Sequence, residues 1–431
     1  TDRQSSGMKV LLVQSYLGGN EPPVFPLGLA CIKAQIANHD VRGFDTNTSK
    51  RPFEELKEIV GDFSPDAIGI SLRNIDSTNK REVVFYYSYL KKAIDEIKAV
   101  SNAKIIVGGS GFSMFAREIM EDEPRVDYGV FLEGERTISA LLDNLGTPEL
   151  IKGVFYRKDG NVVFSGQGGQ VDLNGVNLPD REIIHAGDYK EVMETIGIET
   201  KRGCALKCVY CIYGFLNGKE YRLRAPKRVV DNIELLLKEN GIDTFTFVDS
   251  VFNIPLTHAE DICNEIIKRG LKVKWSAWFS EKGLKKEFVE LVKTAGCRKI
   301  ILSPDGYSEK VLKSLGKNIT KKDILESYEL LKSIDGYEVC YNFFKNPPDQ
   351  SITAFLSMLF FSLKAKMQMG GRVHFEFNSM RVEPHTKLYQ IALKEGFVKE
   401  EENLLYPKYY TNPKTFYIEK MFNLILRLKG K

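Results

Sequence analysis

From Lys9 onward the chain runs twice through one rhythm, a compact β-branched or aliphatic run followed by a longer amphipathic stretch. Strands separated by helices pair in parallel through crossovers, so this rhythm confines the chain to parallel sheets covered by helices. The first series predicts strands at Val10–Gln14, Val41–Phe44, Ala67–Ser71, Lys104–Gly108 and Tyr128–Phe131. Between them Gly28–Ala37, Phe53–Val60, Glu82–Val100, Ser113–Met120 and Glu135–Leu145 read as helices. A doubly wound sheet of this kind holds its ligand beyond the carboxyl ends of the strands. Val154–Arg157 and Val162–Phe164 then flank Asp159-Gly160, a hairpin signal, and polar sequence to about Glu191 reads as a linker. A second series starts at Thr195, with strands at Ile196–Thr200, Thr244–Asp249, Lys272–Ala277, Lys299–Ser303, Val339–Phe343 and His374–Arg381. Six strands with intervening helices predict a partial parallel barrel whose chemistry lies on the loops after the strands.

These readings divide the chain into a tag remnant (1–7, ahead of Met8), a Rossmann-like domain (8–147), a hairpin and linker (148–193), a partial (β/α)6 barrel (194–392) and a C-terminal extension (393–431). The 61 basic and 57 acidic residues leave +4, too little charge to point to a nucleic-acid partner. Ala354–Leu363 is the longest apolar stretch, far short of the roughly 20 residues that cross a bilayer, and reads as a buried helix. Seven cysteines is an odd number; three fall within eight positions, while Cys31, Cys263, Cys297 and Cys340 are scattered. That usage suits a metal site in a reducing compartment and sets the expectation of a cytoplasmic protein without membrane spans.

The clustered three form Cys204-Ala-Leu-Lys-Cys208-Val-Tyr-Cys211, on one loop after the first strand of the second series. Three thiolates can hold three irons of a four-iron cluster and leave the fourth iron open to a small molecule. Structural zinc wants four ligands, and no fourth cysteine or suitably spaced histidine lies nearby. The spacing, with aromatic Tyr210 before the last cysteine, resembles the radical S-adenosylmethionine (SAM) family. The resemblance implies a [4Fe–4S] cluster on Cys204, Cys208 and Cys211, SAM on its open iron, and Tyr210 against the adenine. It also makes Asp249 and Ser250, Ser303 and Asp305, and Tyr341 and Asn342, each at a strand end, expected SAM contacts; ordinary turn chemistry is the alternative for each.

The N-terminal half resembles the cobalamin-binding domain that precedes the barrel in one large subfamily. The residues that carry this are Pro26, Leu27 and Gly28 opening the first helix, Ser71, Leu72, Arg73, Asn74 and Asp76 after the third strand, Gly108, Gly109, Ser110 and Gly111 after the fourth, and the Glu133-Gly134 turn. Tight turns or a nucleotide site would use similar glycines, but the first strand lacks G-x-G-x-x-G. Where related domains place a cobalt-binding histidine, this chain reads Gln14-Ser-Tyr16. The lower face of cobalt is therefore expected to lack a histidine and to meet Tyr16 or the Leu72–Asp76 loop, with His39 on an exposed helix end.

The two cofactors together imply methylation of an unreactive carbon: a 5′-deoxyadenosyl radical abstracts hydrogen and methylcobalamin returns a methyl group. An electron donor such as ferredoxin or flavodoxin is implied as a partner. Candidate catalytic residues are Tyr16, Arg73, Glu376 and Arg381; on the sixth strand Glu376 and Asn378 form a polar row facing inward, and one of Trp275 and Trp278, which point opposite ways, lines the pocket. The aromatic tail Leu405–Tyr410 either covers the barrel mouth or packs against the domain. Within the subfamily the chain looks most like enzymes that methylate peptide or protein side chains, the glutamine C-methyltransferase of methanogens among them. The alternatives are an enzyme that rearranges or cyclises a small molecule, and a cobalamin-binding sensor with a structural cluster.

Overall fold

The computed structural model describes residues 7–19, 22–189 and 193–428. Residues 1–6 of the expected tag remnant and Glu21 lie outside them. The chain forms two compact units, one of residues 1–77, 82–197 and 235–242, the other of 78–81, 198–234 and 243–431.

The first unit is built on a seven-stranded sheet in the order β2-β1-β3-β4-β5-β6-β7. Its strands are β1 (Lys9–Gln14), β2 (Asp40–Asp45), β3 (Ala67–Ser71), β4 (Lys104–Gly108), β5 (Tyr128–Val130), β6 (Val154–Lys158) and β7 (Asn161–Phe164). β1 to β5 pair in parallel, and their apolar runs are buried: Val10 to Val13, Ile68, Ile70 and Ile105 to Val107 are all at most 2% exposed. Burial on both faces is why these strands read as continuous apolar runs rather than alternating ones. The hairpin is an antiparallel continuation of this sheet at β5, so it extends the first unit rather than standing apart in a linker. Its turn residues Asp159 and Gly160 both take positive φ, as a tight two-residue turn requires.

The second unit holds a six-stranded sheet in the order β15-β14-β13-β12-β11-β8. These strands are β8 (Gly197–Ile198), β11 (Thr244–Phe247), β12 (Lys274–Phe279), β13 (Cys297–Asp305), β14 (Glu338–Phe344) and β15 (Val373–Asn378). Between β8 and β11 the short β9 (Lys201–Arg202) and β10 (Arg222–Leu223) form an antiparallel ribbon. β16 (Met380–Arg381) pairs with β17 (Tyr409–Tyr410), which ties the aromatic tail to the end of the barrel. β12 lies two residues further on than the sequence suggested, because Lys272 and Val273 belong to the approach to the strand.

Parallel register fixes which side chains share a face. Asn342 pairs with Glu376 and Phe344 with Asn378, so these four point to one side, while Tyr341, Phe343, Phe375 and Phe377 point to the other. That second face packs against Phe361 of the helix Ile352–Met369. This helix was expected to be buried, and one face is: Phe355, Met358, Phe361 and Ala365 lie in the core. The opposite face differs, with Leu356, Phe360, Leu363 and Met367 at 53–79% exposure. Its unbroken apolar sequence hid the distinction, since periodicity cannot reveal a face when both faces are apolar. No helix among the described residues is long and apolar enough to cross a membrane.

Candidate active site

The cysteine loop is fixed at its base by the β9–β10 ribbon, which pairs Lys201 with Leu223 and Arg202 with Arg222. Gly203 takes φ +92°, and a Cβ there would collide with the carbonyl of Glu220, so the ribbon closes only over glycine. The Cys204 amide donates to the Gly218 carbonyl at 3.0 Å, and the Val209 amide to the Leu315 carbonyl at 2.9 Å. Beneath the ribbon Lys201 and Asp249 form a fully buried ion pair at 3.1 Å. Asp249 also accepts from the Thr200 amide and hydroxyl. Its carboxylate is thus committed to holding the loop base and does not line the cavity, a correction to its expected role against SAM.

Cys204, Cys208 and Cys211 line one cavity of about 680 Å³ with Tyr210, Ser250, Ser303, Asp305 and Asn342. Trp278, Glu281 and Lys317 complete its inner wall. Trp278 is therefore the tryptophan that faces the pocket, whereas Trp275 is buried, its indole N–H donating to the Ala295 carbonyl at 2.8 Å. Burial pushes the Cys208 thiol up and the Cys211 thiol up to about 12, so both keep their protons at neutral pH until a metal displaces them. Among the described residues no three His, Cys, Asp or Glu side chains converge as they would on a single metal ion.

Two further observations fit a bound SAM. Asn342 Oδ1 and Glu281 Oε1 are buried at the cavity wall without a hydrogen-bond partner. Burying such acceptors costs free energy unless something donates to them, and a ligand rich in hydroxyl and amino groups would do so. The Asn342 amide is oriented by its hydrogen bond to Ser303 Oγ at 3.1 Å. Asp305 accepts from the Tyr210 hydroxyl and from Lys317 at 2.8 Å.

The remaining barrel candidates separate. Tyr341 is buried between Phe361 and Phe375 and belongs to the core, not the cavity. Arg381 donates to Glu383 at 2.8 Å and to the carbonyls of Leu404 and Leu405. It clamps the C-terminal extension and is displaced from the catalytic role expected of it. Glu376 shares the face of Asn342 but is exposed and lies outside the cavity lining. No residue of the aromatic tail lines the cavity either; Tyr410 is buried, its hydroxyl donating to Glu395 at 2.8 Å.

In the first unit the candidate loops gather at the carboxyl edge of the sheet, after β1, β3, β4 and β5. Gly109 takes φ +99°, and a Cβ there would sit 2.7 Å from the Leu72 carbonyl oxygen. The Leu72 carbonyl accepts from the Gly111 amide at 2.9 Å, and Ser110 Oγ donates to the Arg73 carbonyl at 2.7 Å. The glycines serve loop-on-loop packing, with Gly108 in ordinary contact with Val130. Leu72 and Asp76 are buried, Asp76 bridging to Phe85, which leaves Arg73 as the exposed member of the loop. Glu133 accepts from the Val171 amide at 2.6 Å, Gly134 caps the next helix, Pro26 is buried and Gly28 is exposed. Tyr16 packs edge-on against Tyr89 and Phe53.

At this edge Gln14 Nε2 and Ser15 Oγ are buried without partners, polar groups that an amide-bearing corrin would satisfy. His39 lies at the other, amino end of β2. Its side chain is only 4% exposed, not on an open helix end, because Nδ1 accepts from the Met8 amide and Nε2 faces Asp143.

Sequence reasoning missed Glu281 and Lys317. Glu281 stands two residues past β12, a carboxylate at a strand's carboxyl end, and the early placement of that strand concealed it. Lys317 follows a helix in an ordinary Leu-Gly-Lys turn and gave no signal.

Two family models match the chain: B12 binding domain over residues 20–142 and Radical SAM superfamily over residues 198–357. A protein of Pyrococcus horikoshii named as an uncharacterized methyltransferase is 24% identical over 91% of this chain and 84% of its own length. An anaerobic magnesium-protoporphyrin IX monomethyl ester cyclase of Cereibacter sphaeroides is 26% identical, over 74% of this chain and 53% of its own. Among solved structures, the radical SAM methyltransferase TsrM of Kitasatospora setae, with cobalamin and a [4Fe–4S] cluster bound, shares the fold with a TM-score of 0.79 at 20% identity. It covers 90% of this chain and 75% of TsrM. The chain therefore carries a B12 binding domain followed by a Radical SAM superfamily domain, the pair of domains whose cofactors are cobalamin and a [4Fe–4S] cluster with SAM.

Proposed function

We propose that the protein methylates an unactivated carbon on a peptide or protein side chain. The observation that carries methyl transfer is the joint presence of the two domains, each with partnerless buried polar groups where its cofactor would bind. When bound, the cluster and SAM supply hydrogen abstraction and cobalamin supplies the methyl group.

The chain's own residues bind, orient and exclude. Cys204, Cys208 and Cys211 would hold the cluster on a loop whose base is locked by Asp249 and Lys201. Asn342, Ser303, Ser250 and Glu281 would accept from or donate to SAM, while Tyr210 is steadied by Asp305. Gln14, Ser15 and the Arg73–Asn74 and Gly109–Gly111 loops would take cobalamin, with no histidine among them. Trp278 and Phe344, which line the cavity, would exclude water from it. Support for a macromolecular acceptor comes from β15, an edge strand that carries Glu376 and Asn378 exposed on the cavity-side face, where an extended chain could lie alongside. A glutamine of methyl-coenzyme M reductase is the specific acceptor this reading puts first.

A second reading, ring closure without methyl transfer, is favoured by the cyclase relative. Anaerobic turnover of peptides spanning that glutamine separates the two. C-methylation predicts 5′-deoxyadenosine, S-adenosylhomocysteine and methylated peptide in equal amounts. Consumption of a substrate with 5′-deoxyadenosine formed and no methyl gained would refute it.

A further inference from the structure

Among the described residues the cavity wall contains one buried cation that the expected SAM contacts leave unused. Lys317 Nζ donates to the Ser303 carbonyl at 2.6 Å and to Asp305 at 2.8 Å, and lies 3.5 Å from the Tyr210 hydroxyl. Tyr210 sits between Cys208 and Cys211, and the neighbouring Leu315 carbonyl takes the amide of Val209 on the same loop. Lys317 is therefore held against the cysteine loop from two directions. Its side chain is 12% exposed, whereas Lys207, Lys219 and Lys387, which also line the cavity, are exposed and screened by solvent. Burial works against its charge, but the Asp305 carboxylate at 2.8 Å more than compensates and keeps it protonated.

We infer that Lys317 is a positioning residue for electron transfer, a fixed positive charge that raises the reduction potential of the cluster held by the neighbouring cysteines. Reduction adds one negative charge to the cluster, and a desolvated cation beside it stabilises the reduced form more than the oxidised form. Asp305, which accepts from the Tyr210 hydroxyl and pairs with Lys317 at 2.8 Å, pulls the other way, so the two side chains set the potential in opposite senses. The inference rests on the reading that Cys204, Cys208 and Cys211 carry a [4Fe–4S] cluster.

The test uses full-length protein reconstituted anaerobically and titrated without SAM, with reduction followed by electron paramagnetic resonance. Iron content and charge-transfer absorbance are recorded first for wild type, Lys317→Met, Lys317→Arg, Asp305→Asn and the Lys317→Met/Asp305→Asn double variant. Lys317→Met should reduce the ratio of reduced to oxidised cluster at a fixed low poise about tenfold, which for one electron is a shift of about 59 mV to more negative potential. Lys317→Arg should stay near wild type, Asp305→Asn should shift to more positive potential, and the double variant should fall between the two single ones. An unchanged potential in Lys317→Met with its iron intact overturns the inference, as do shifts of one sign in both single variants. If Lys317→Met loses its cluster, the sign of the Asp305→Asn shift and the Lys317→Arg value decide. Wild-type protein without four-iron absorbance would instead sink the underlying assignment of the cysteines.

Discussion

Replacing Glu281 with glutamine removes one charge at a site where the structure makes that charge costly. Glu281 is 4% exposed, and Oε1 has no partner. Burial raises its pKa from 4.5 to about 7, with Lys317 only partly opposing the shift. At about 1.4 kcal/mol per tenfold, the carboxylate costs the folded protein about 3 kcal/mol when no ligand donates to it. The sign follows from proton uptake: between pH 4.5 and about 7 the folded state holds a proton that the unfolded state has lost. Stability is therefore full below pH 4.5, falls as pH rises to about 7, and is level above that. Glutamine titrates nowhere, so without SAM Glu281→Gln should match wild type near pH 4.5 and exceed it by up to about 3 kcal/mol at pH 8. Both tryptophans, Trp275 and Trp278, lie in the barrel, so their fluorescence during urea unfolding reports this unit alone. With SAM present the ranking should invert. A charged hydrogen bond of about 1.5–3 kcal/mol is lost in the variant, so calorimetric affinity at pH 8 should fall at least tenfold while wild-type affinity rises from pH 6 to 8. A variant with wild-type stability at both ends of the pH range would show that Glu281 is not desolvated as the structure places it.

Changing Cys204, Cys208 and Cys211 together to alanine should abolish the iron–sulfur absorbance, with wild type holding about four irons per chain; retained iron would refute the assignment. Gly109→Val forces a β-branched residue to φ +99° and against the Leu72 carbonyl, strain of about 1–3 kcal/mol or more, and should cost cobalamin retention on gel filtration without loss of iron. Lys201→Met leaves Asp249 buried and unpaired, and should destabilise the barrel by about 3–5 kcal/mol in urea unfolding; a change under 1 kcal/mol would contradict that geometry. Cob(II)alamin in the complex should show no nitrogen superhyperfine splitting in its paramagnetic resonance, because His39 lies at the amino end of β2; a clear nitrogen coupling would overturn the reading.

Local sequence alone determined most of the elements and the grouping of the three cysteines on one cavity wall. Continuous apolar runs define β1 to β5 because those strands are buried on both faces, and Asp159-Gly160 defines its hairpin because few other residues accept positive φ in succession. Cys204, Cys208 and Cys211 were legible because their spacing lies within one loop and needs no distant partner. Which carboxylate reaches the cavity was settled only by tertiary structure. Asp249 and Glu281 both follow barrel strands, yet Lys201 and Thr200 engage the first while the second is left buried and unpartnered. Arg381 was assigned elsewhere by the carbonyls of Leu404 and Leu405, more than twenty residues along the chain. The exposed face of Ile352–Met369 depended on which side the barrel took. These outcomes depend on long-range pairing, where burial and the competition for hydrogen-bond partners decide what each polar group is free to do.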